Sequence, residues 1–102
     1  MSLLDQHKKA IQLACKKYAV DKLYAFGSVL TDKFTDSSDI DFVVSLLPTD
    51  PKTYADNYFN LKTELQRILK HDIDLLEQKA IRNKTFLSAI DESKQKIYEN
   101  RS

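Results

Sequence analysis

The sequence predicts a small α/β (α+β) protein, with a short three-stranded mixed sheet packed by about four helices. Short apolar runs, too brief for helices, alternate with longer segments whose apolar residues recur every three or four positions. The segments follow in the order helix, strand, strand, helix, strand, helix, which favours helices layered on a sheet. A length of 102 residues allows one core, so residues 1–102 are expected to form a single domain.

The composition argues against several classes of protein. There are 16 Lys and Arg residues against 15 Asp and Glu, and this balance is not that of a strong nucleic-acid binder. The hydrophobic fraction of 42% is too high for a disordered chain. No apolar stretch approaches the roughly 20 residues of a membrane helix. Cys15 has no second cysteine to pair with, and a cytoplasmic location is the default expectation.

The first segment is predicted to be a helix that Ser2 caps and whose apolar stripe extends to Tyr18. Two lysine pairs, at positions 8–9 and 16–17, lie mostly off this stripe. A solvated helix face explains these pairs better than a patch that binds a partner.

Three short apolar runs are predicted to be strands. Leu23–Phe26 ends at Gly27, as is typical of a buried strand. Ile40–Leu47 is rich in β-branched and aromatic residues and is stopped by Pro48. Ile73–Leu76 is the third predicted strand.

Two further helices have recognisable starts. Asp50 is predicted to cap a helix with Pro51 in its first turn, extending to about Lys70. Asn83 is the predicted cap of the last helix. The segment Ile97–Tyr98 fits either a terminal strand or an extension of that helix.

The only glycine of the chain, Gly27, directly follows the first predicted strand and precedes Ser28. Because glycine has no Cβ, it permits a sharp turn and close approach of a ligand to the main chain. If Ser28 begins a short helical turn through Leu30, its N–H and hydroxyl are donors suited to a phosphate. A glycine needed only for a tight turn is the alternative for this motif taken by itself.

Asp39 and Asp41 flank Ile40 at the start of the second predicted strand. Alternate residues of a strand face the same side, so the two carboxylates project together with Val43. Like charges this close repel each other unless a cation lies between them, and oxygen ligands of this kind suit Mg²⁺. A polar strand end that faces solvent is the alternative for an isolated Asp-x-Asp.

Asp74 interrupts the third apolar run. A buried carboxylate without a partner is costly, so Asp74 is expected to share a metal ion with Asp39 and Asp41. Asp72, one step earlier on the same face, is a competing candidate. An exposed strand edge is the alternative explanation for Asp74.

Together these motifs resemble the minimal nucleotidyltransferases of the DNA polymerase β superfamily, the small partner in two-gene HEPN toxin systems. The resemblance extends from about Leu3 to Tyr98 and includes the ten residues between Gly27-Ser28 and Asp39. It implies a palm-like fold and an enzyme that transfers a nucleoside monophosphate, here expected to be AMP from ATP, to a hydroxyl group.

By this resemblance, Gly27 and Ser28 hold the β- and γ-phosphates of the nucleotide, and Asp39 and Asp41 bind metal. Asp74 matches the third catalytic acid, which helps to bind one metal ion and favours deprotonation of the attacking hydroxyl. Two Mg²⁺ ions about 3.5–4 Å apart can stabilise both the attacking and the leaving oxygen of an in-line displacement.

Two positions depart from the family pattern. Val29 stands where many members have Arg, and Asp32 stands where many have Gly. The missing Arg leaves the triphosphate charge less well compensated. Lys33 is a candidate substitute, although an ammonium group is a point charge and not a bidentate fork.

The size of the chain leaves room for a metal and phosphate platform and little else, so the acceptor is expected on a partner protein. The favoured hypothesis is transfer of AMP to a tyrosine of a cognate HEPN-type ribonuclease toxin, which silences the toxin. One alternative is an antitoxin that neutralises by binding alone. Another is an enzyme for a small molecule such as an aminoglycoside, with a pocket that a homodimer completes.

Overall fold

The computed structural model describes residues 2–100; the predicted domain also includes Met1, Arg101 and Ser102, which lie outside the described residues. The helices are α1 (Leu3–Gln6), α2 (Lys8–Lys17), α3 (Pro51–Leu69) and α4 (Lys84–Ser93). The strands are β1 (Val20–Phe26), β2 (Ile40–Leu46), β3 (Ile73–Glu77) and β4 (Gln95–Glu99). Two 3₁₀ turns follow β1 and β3, at Gly27–Leu30 and Gln78–Ala80.

The sheet of residues 2–100 has the strand order β3-β2-β1-β4. β1 is antiparallel to both β2 and β4, whereas β2 and β3 are parallel, so the predicted mixed sheet is confirmed. The prediction of three strands was wrong, because residues 95–99 form a fourth strand against β1. In the sequence, this segment has only Ile97 and Tyr98 as apolar residues. Pairing with β1 buries both of them and decides between strand and helix.

The first helix was predicted to be continuous, but His7 divides it into α1 and α2. The hydroxyl of Ser2 accepts a hydrogen bond from the N–H of Asp5 at 3.2 Å, which confirms the predicted cap. α2 packs against the core through residues that include Ile11 and Cys15. Burial raises the pKa of the Cys15 thiol to about 12, so this thiol remains protonated at neutral pH.

α3 and α4 begin where local capping chemistry predicts. Asp50 accepts from the N–H of Thr53, and Asn83 accepts from the N–H of Phe86, each at 3.0 Å. Lys70 has a left-handed backbone with φ of 56° and terminates α3. Neither these helices nor the others within residues 2–100 are long and apolar enough to cross a membrane.

The two faces of the sheet are covered unequally. α2 and α3 cover one face over the main core, to which Phe42 of β2 belongs. α4 covers part of the other face through a small cluster of Phe26, Val43 and Ile90. The alternation predicted along β2 is therefore confirmed. Asp41 shares the orientation of Val43, so it projects on the thinly covered face.

Candidate active site

The turn after β1 brings the main chain of Gly27 against the side chain of Asp41. Gly27 has a φ of +79°, in the region that residues with a Cβ rarely adopt. A Cβ at this position would lie 2.6 Å from Asp41 Oδ2, well inside van der Waals contact. The strand register explains this approach, because Phe26 pairs with Asp41. The glycine is needed both for the turn and for the carboxylate beside it.

Parallel pairing of β2 with β3 places Asp74 directly opposite Asp41. Residues paired in this way share one face of the sheet on strands about 4.8 Å apart. Asp39 precedes Asp41 by two positions and follows the same alternation. The fold thus brings the predicted residues to one end of the sheet, where β1 ends and β2 and β3 begin. We call this group the carboxylate edge: Gly27, Ser28, Asp39, Asp41 and Asp74.

The ionisation of Asp41 reflects this arrangement. Partial burial raises the pKa of Asp41, and the negative charges of Asp74 and Asp39 raise it further. Within residues 2–100, none of these three carboxylates forms a hydrogen bond or an ion pair. The three carboxylates of the carboxylate edge therefore repel one another, and no basic side chain of the described residues forms an ion pair with them.

The structure distinguishes Asp74 from its competitor Asp72. Asp74 is exposed on the edge strand β3, and not buried as the apolar residues around it implied. Its negative charge is nevertheless one of the causes that raise the pKa of Asp41, second to partial burial. Asp72 instead lines a groove with Gln66 and Lys70 from the α3 side. The strand register thus places Asp74, and not Asp72, directly opposite Asp41.

The donor set of the carboxylate edge fits a divalent cation. Carboxylate oxygens are the ligands that Mg²⁺ prefers, and a cation here would relieve the repulsion that adds to burial in raising the pKa of Asp41. Among residues 2–100, no three His, Cys, Asp or Glu side chains are already arranged to hold a metal ion. Joint ligation by Asp39, Asp41 and Asp74 would therefore require their carboxylates to approach one another more closely than they do in this structure.

Ser28 lies in the 3₁₀ turn Gly27–Leu30, so the condition on which its proposed contact with phosphate depended, a short helical turn after β1, is met. Its carbonyl accepts hydrogen bonds from the N–H and the hydroxyl of Thr31, both at 2.9 Å. Its own hydroxyl has no hydrogen bond within residues 2–100. Val29, which stands where many family members have Arg, packs against the main core. Lys33 is exposed in the following loop.

His71 is a residue of this region that sequence reasoning did not identify. Its Nδ1 lies 2.8 Å from the carbonyl oxygen of Ser38, which directly precedes Asp39. Its ring packs on that of Phe34, with centroids 4.9 Å apart. Ser38 and Thr35 also exchange hydrogen bonds of 3.0 Å across the loop. His71 thus connects the loop before β2 to the start of β3, a contact that only the strand register could have predicted.

Comparison with known proteins identifies the family. Residues 8–102 match the family described as "Polymerase beta, Nucleotidyltransferase". Two proteins of Methanocaldococcus jannaschii that are named protein adenylyltransferases are each 31% identical to this chain over 90 residues. These matches span 88% of this chain and 86% of each relative. The chain belongs to the polymerase β nucleotidyltransferase family and is a nucleotidyltransferase.

Solved structures share its fold. A structure described as a minimal nucleotidyltransferase matches with a TM-score of 0.76 at 18% identity, over 93% of this chain and 95% of that one. A toxin–antitoxin structure with AMP-PNP matches with a TM-score of 0.69 at 18% identity, over 92% and 74%. A complex of tri-AMPylated HEPN toxin from Shewanella oneidensis with MNT antitoxin matches with a TM-score of 0.64 at 16% identity, over 94% and 72%. The minimal nucleotidyltransferase fold is thereby confirmed.

Proposed function

We propose that this chain is a Mg²⁺-dependent adenylyltransferase that moves AMP from ATP to a tyrosine hydroxyl of a HEPN-type ribonuclease toxin, and so acts as its antitoxin. The observation that carries the proposal is the carboxylate edge, in which Asp41 lies against Gly27 and opposite Asp74. The names of the sequence relatives support an AMP donor and a protein acceptor. The complex of a HEPN toxin with MNT antitoxin that shares this fold supports a HEPN partner. The proposal places both proteins in the cytoplasm.

The proposed reaction is a single in-line displacement. A bond forms between the acceptor oxygen and the α-phosphorus of ATP, and the bond from that phosphorus to the pyrophosphate oxygen breaks. Pyrophosphate leaves with the electron pair, and the acceptor hydroxyl gives up its proton. Bound Mg²⁺ supplies neutralisation of the phosphate charge. The protein contributes positioning and electrostatic stabilisation, since no covalent enzyme intermediate is required.

Each residue of the carboxylate edge has a proposed role. Asp39 and Asp41 would hold two Mg²⁺ ions, and Asp74 would help to hold one of them and would favour deprotonation of the acceptor hydroxyl by accepting its proton. Gly27 leaves the space beside Asp41 open, because any Cβ there would displace that carboxylate. The hydroxyl of Ser28 donates to the β- or γ-phosphate.

Mass spectrometry of the purified pair tests this proposal. The chain is incubated with ATP, MgCl₂ and the HEPN-type protein of its own genome, and each transferred AMP should add about 329 Da to that protein. Peptide fragmentation should locate the addition on a tyrosine, and the Tyr→Phe acceptor should remain unmodified. The matched control is the double variant Asp39→Asn/Asp41→Asn. Failure of the wild-type chain to modify the acceptor with either Mg²⁺ or Mn²⁺ would contradict adenylyl transfer.

An antitoxin that acts by binding alone is the second candidate, and Val29 favours it. Val29 packs against the core where many family members have an Arg that could compensate triphosphate charge. In a growth assay with co-expressed toxin, a catalytic antitoxin loses neutralisation when Asp39 and Asp41 are both changed to Asn. A folded double variant that transfers no AMP and still neutralises the toxin would establish binding as the mechanism.

A further inference from the structure

A groove between α2 and β4 shares no residue with the carboxylate edge, and the proposed transfer of AMP assigns it no role. Its lining is strongly positive, because four of its residues are lysines and Glu99 alone is acidic. The lysines are Lys8, Lys9, Lys16 and Lys96. Glu99 pairs with Lys96 at 2.7 Å, which leaves the α2 lysines as the dominant charge of the groove.

The structure changes the interpretation of the lysine pairs on α2. The sequence favours a solvated helix face for the pairs at positions 8–9 and 16–17. In the fold, three of these four lysines line the groove and face Lys96 from the end of the chain. Solvation of α2 alone would explain lysines on that helix, but it does not explain why a lysine of β4 lines the same groove.

Apolar side chains lie among these cations. Leu13 of α2 lines the groove with 67% of its surface exposed, the highest exposure of any large apolar residue described. Ile97 and Tyr98 line the β4 side of the groove and are buried. Leu13 therefore offers an exposed apolar contact beside the lysines of the groove.

The backbone of β4 adds a second element of recognition. β4 is an outer strand of the sheet, and within residues 2–100 it pairs with β1 alone. The other side of such a strand presents N–H and C=O groups that an added strand can pair with. Lysines along an edge discourage neutral or basic strands from pairing there, but they attract an acidic one.

We propose that this groove binds an extended acidic segment of a partner protein, which pairs with the outer edge of β4. Its carboxylates then meet the four lysines, and an apolar side chain of the segment covers Leu13. A polypeptide fits these features better than a nucleic acid, because a phosphate chain cannot pair with a strand edge. The proposal concerns binding, so it holds whether or not the carboxylate edge is catalytic.

The groove lies close to the carboxylate edge on the same sheet. Lys96 pairs with Tyr24, two residues before Phe26, which pairs with Asp41. Standard strand spacings then place the backbone of Lys96 roughly 12 Å from that of Asp41. On the proposed function, a partner that pairs with the outer edge of β4 is therefore near the site that receives its acceptor hydroxyl.

Peptide binding tests the proposal directly. The probe is a fluorescein-labelled peptide of about ten residues that alternates Glu and Val, the length of a long strand. Fluorescence anisotropy at low salt should show saturable binding that weakens as NaCl is added. Lys8→Glu/Lys16→Glu should weaken binding about tenfold. Arg82→Glu/Lys84→Glu makes the same charge change outside the groove and should alter binding less than about twofold.

Three further probes separate the alternatives. A peptide of the same sequence with alternate N-methylated residues should bind poorly if pairing with β4 is required. A peptide with Lys in place of Glu should not bind. An oligouridylate of matched length tests whether any polyanion suffices. Circular dichroism of each variant confirms that it is folded.

The outcomes are decisive in both directions. Selective loss in the Lys8→Glu/Lys16→Glu variant, together with amide shifts confined to β4 and α2 in NMR spectra, supports the proposal. Equal loss of binding in both double variants, or undiminished binding of the N-methylated peptide, would overturn the proposal. Tighter binding of oligouridylate would also overturn it, as would the lack of saturable binding up to about 1 mM peptide. Self-association of the chain through this face also overturns it. The assay contains no ATP, so its result is independent of adenylyl transfer.

Discussion

The two faces of the sheet divide stability and chemistry between them. The face under α2 and α3 belongs to the main core, whereas the face under α4 has a buried cluster of three residues. The carboxylate edge projects on the second, thinly packed face. Successive residues of β2 show the division: Phe42 is fully buried in the main core, and Asp41 lies against Gly27 at the site.

This comparison shows how a small fold places like charges together at little cost to its core. Because side chains alternate along a strand, acids can replace apolar residues on one face without altering the other. A shift of one residue in the register of β2 would exchange the two sets. The following substitutions test how complete the separation is.

The largest effect is expected from Asp41→Asn. The rate of the proposed AMP transfer should fall about 1,000-fold, because the carboxylate beside Gly27 is lost from the proposed metal site. The free energy of unfolding should stay constant or rise, since burial and like charges oppose ionisation of Asp41 in the folded state. Transfer assays and urea denaturation measure the two effects. Joint loss of activity and stability would contradict the separation of the faces.

The raised pKa of Asp41 also predicts how the free energy of unfolding depends on pH, and Asp41→Asn should change this dependence. The pKa of Asp41 is raised in the folded protein, so the folded state binds more protons than the unfolded state between the ordinary and the raised pKa. The contribution of Asp41 to stability therefore falls as the pH rises through that interval. Denaturation at a series of mildly acidic pH values should show this slope in the wild type and a smaller one in Asp41→Asn.

A core substitution should show the opposite pattern. Leu65→Ala in α3 should lower the free energy of unfolding by about 3 kcal/mol, because Leu65 is fully buried in the main core. Val43→Ala in the second cluster should cost about 1–2 kcal/mol, since fewer side chains surround it. Urea denaturation compares the two variants. Equal losses would show that the second face carries as much stability as the first.

Gly27→Ala is expected to affect both properties. Its Cβ would lie 2.6 Å from Asp41 Oδ2, and its backbone would keep an unfavourable φ of +79°. Transfer should fall about 100-fold through displacement of Asp41, and stability should fall by about 1–2 kcal/mol.

Ala19→Gly is the control for backbone strain in Gly27→Ala. Ala19 also has a left-handed backbone, with φ of 58°, so glycine there should raise stability slightly without altering transfer. In the Asp41→Asn background, Gly27→Ala should cause little further loss of activity. An additive loss in that background would place the role of Gly27 elsewhere than beside Asp41.

The smallest effect is expected for His71, a positioning residue. His71→Ala removes the hydrogen bond to the carbonyl of Ser38 and should lower transfer about tenfold, with a higher Mg²⁺ requirement. His71→Asn should restore most of the activity, because the Asn amide can donate where Nδ1 does. Mg²⁺ titration of both variants provides the measurement. Equal losses without a change in Mg²⁺ requirement would indicate that His71 acts only by packing against Phe34.

Much of the local structure could be predicted from single segments of the chain. Asp50 and Asn83 cap helices because a cap involves residues only three positions apart. The alternation along β2 and the turn at Gly27 are equally local. The break at His7 was missed, since the apolar stripe continues across it.

The sequence by itself determined which residues we propose to bind metal and phosphate, and on which side of each strand they project, because these properties depend on residue type and nearest neighbours. Only the tertiary structure decided that Asp74 lies opposite Asp41, that His71 reaches Ser38, and that Lys96 joins the lysines of α2. Each of these pairings joins residues at least 33 positions apart. The register of β2 with β3 determines the first two pairings, and the pairing of β4 with β1 determines the third. Strand register and strand pairing both depend on the apolar surface buried over the whole core, which no local sequence pattern contains.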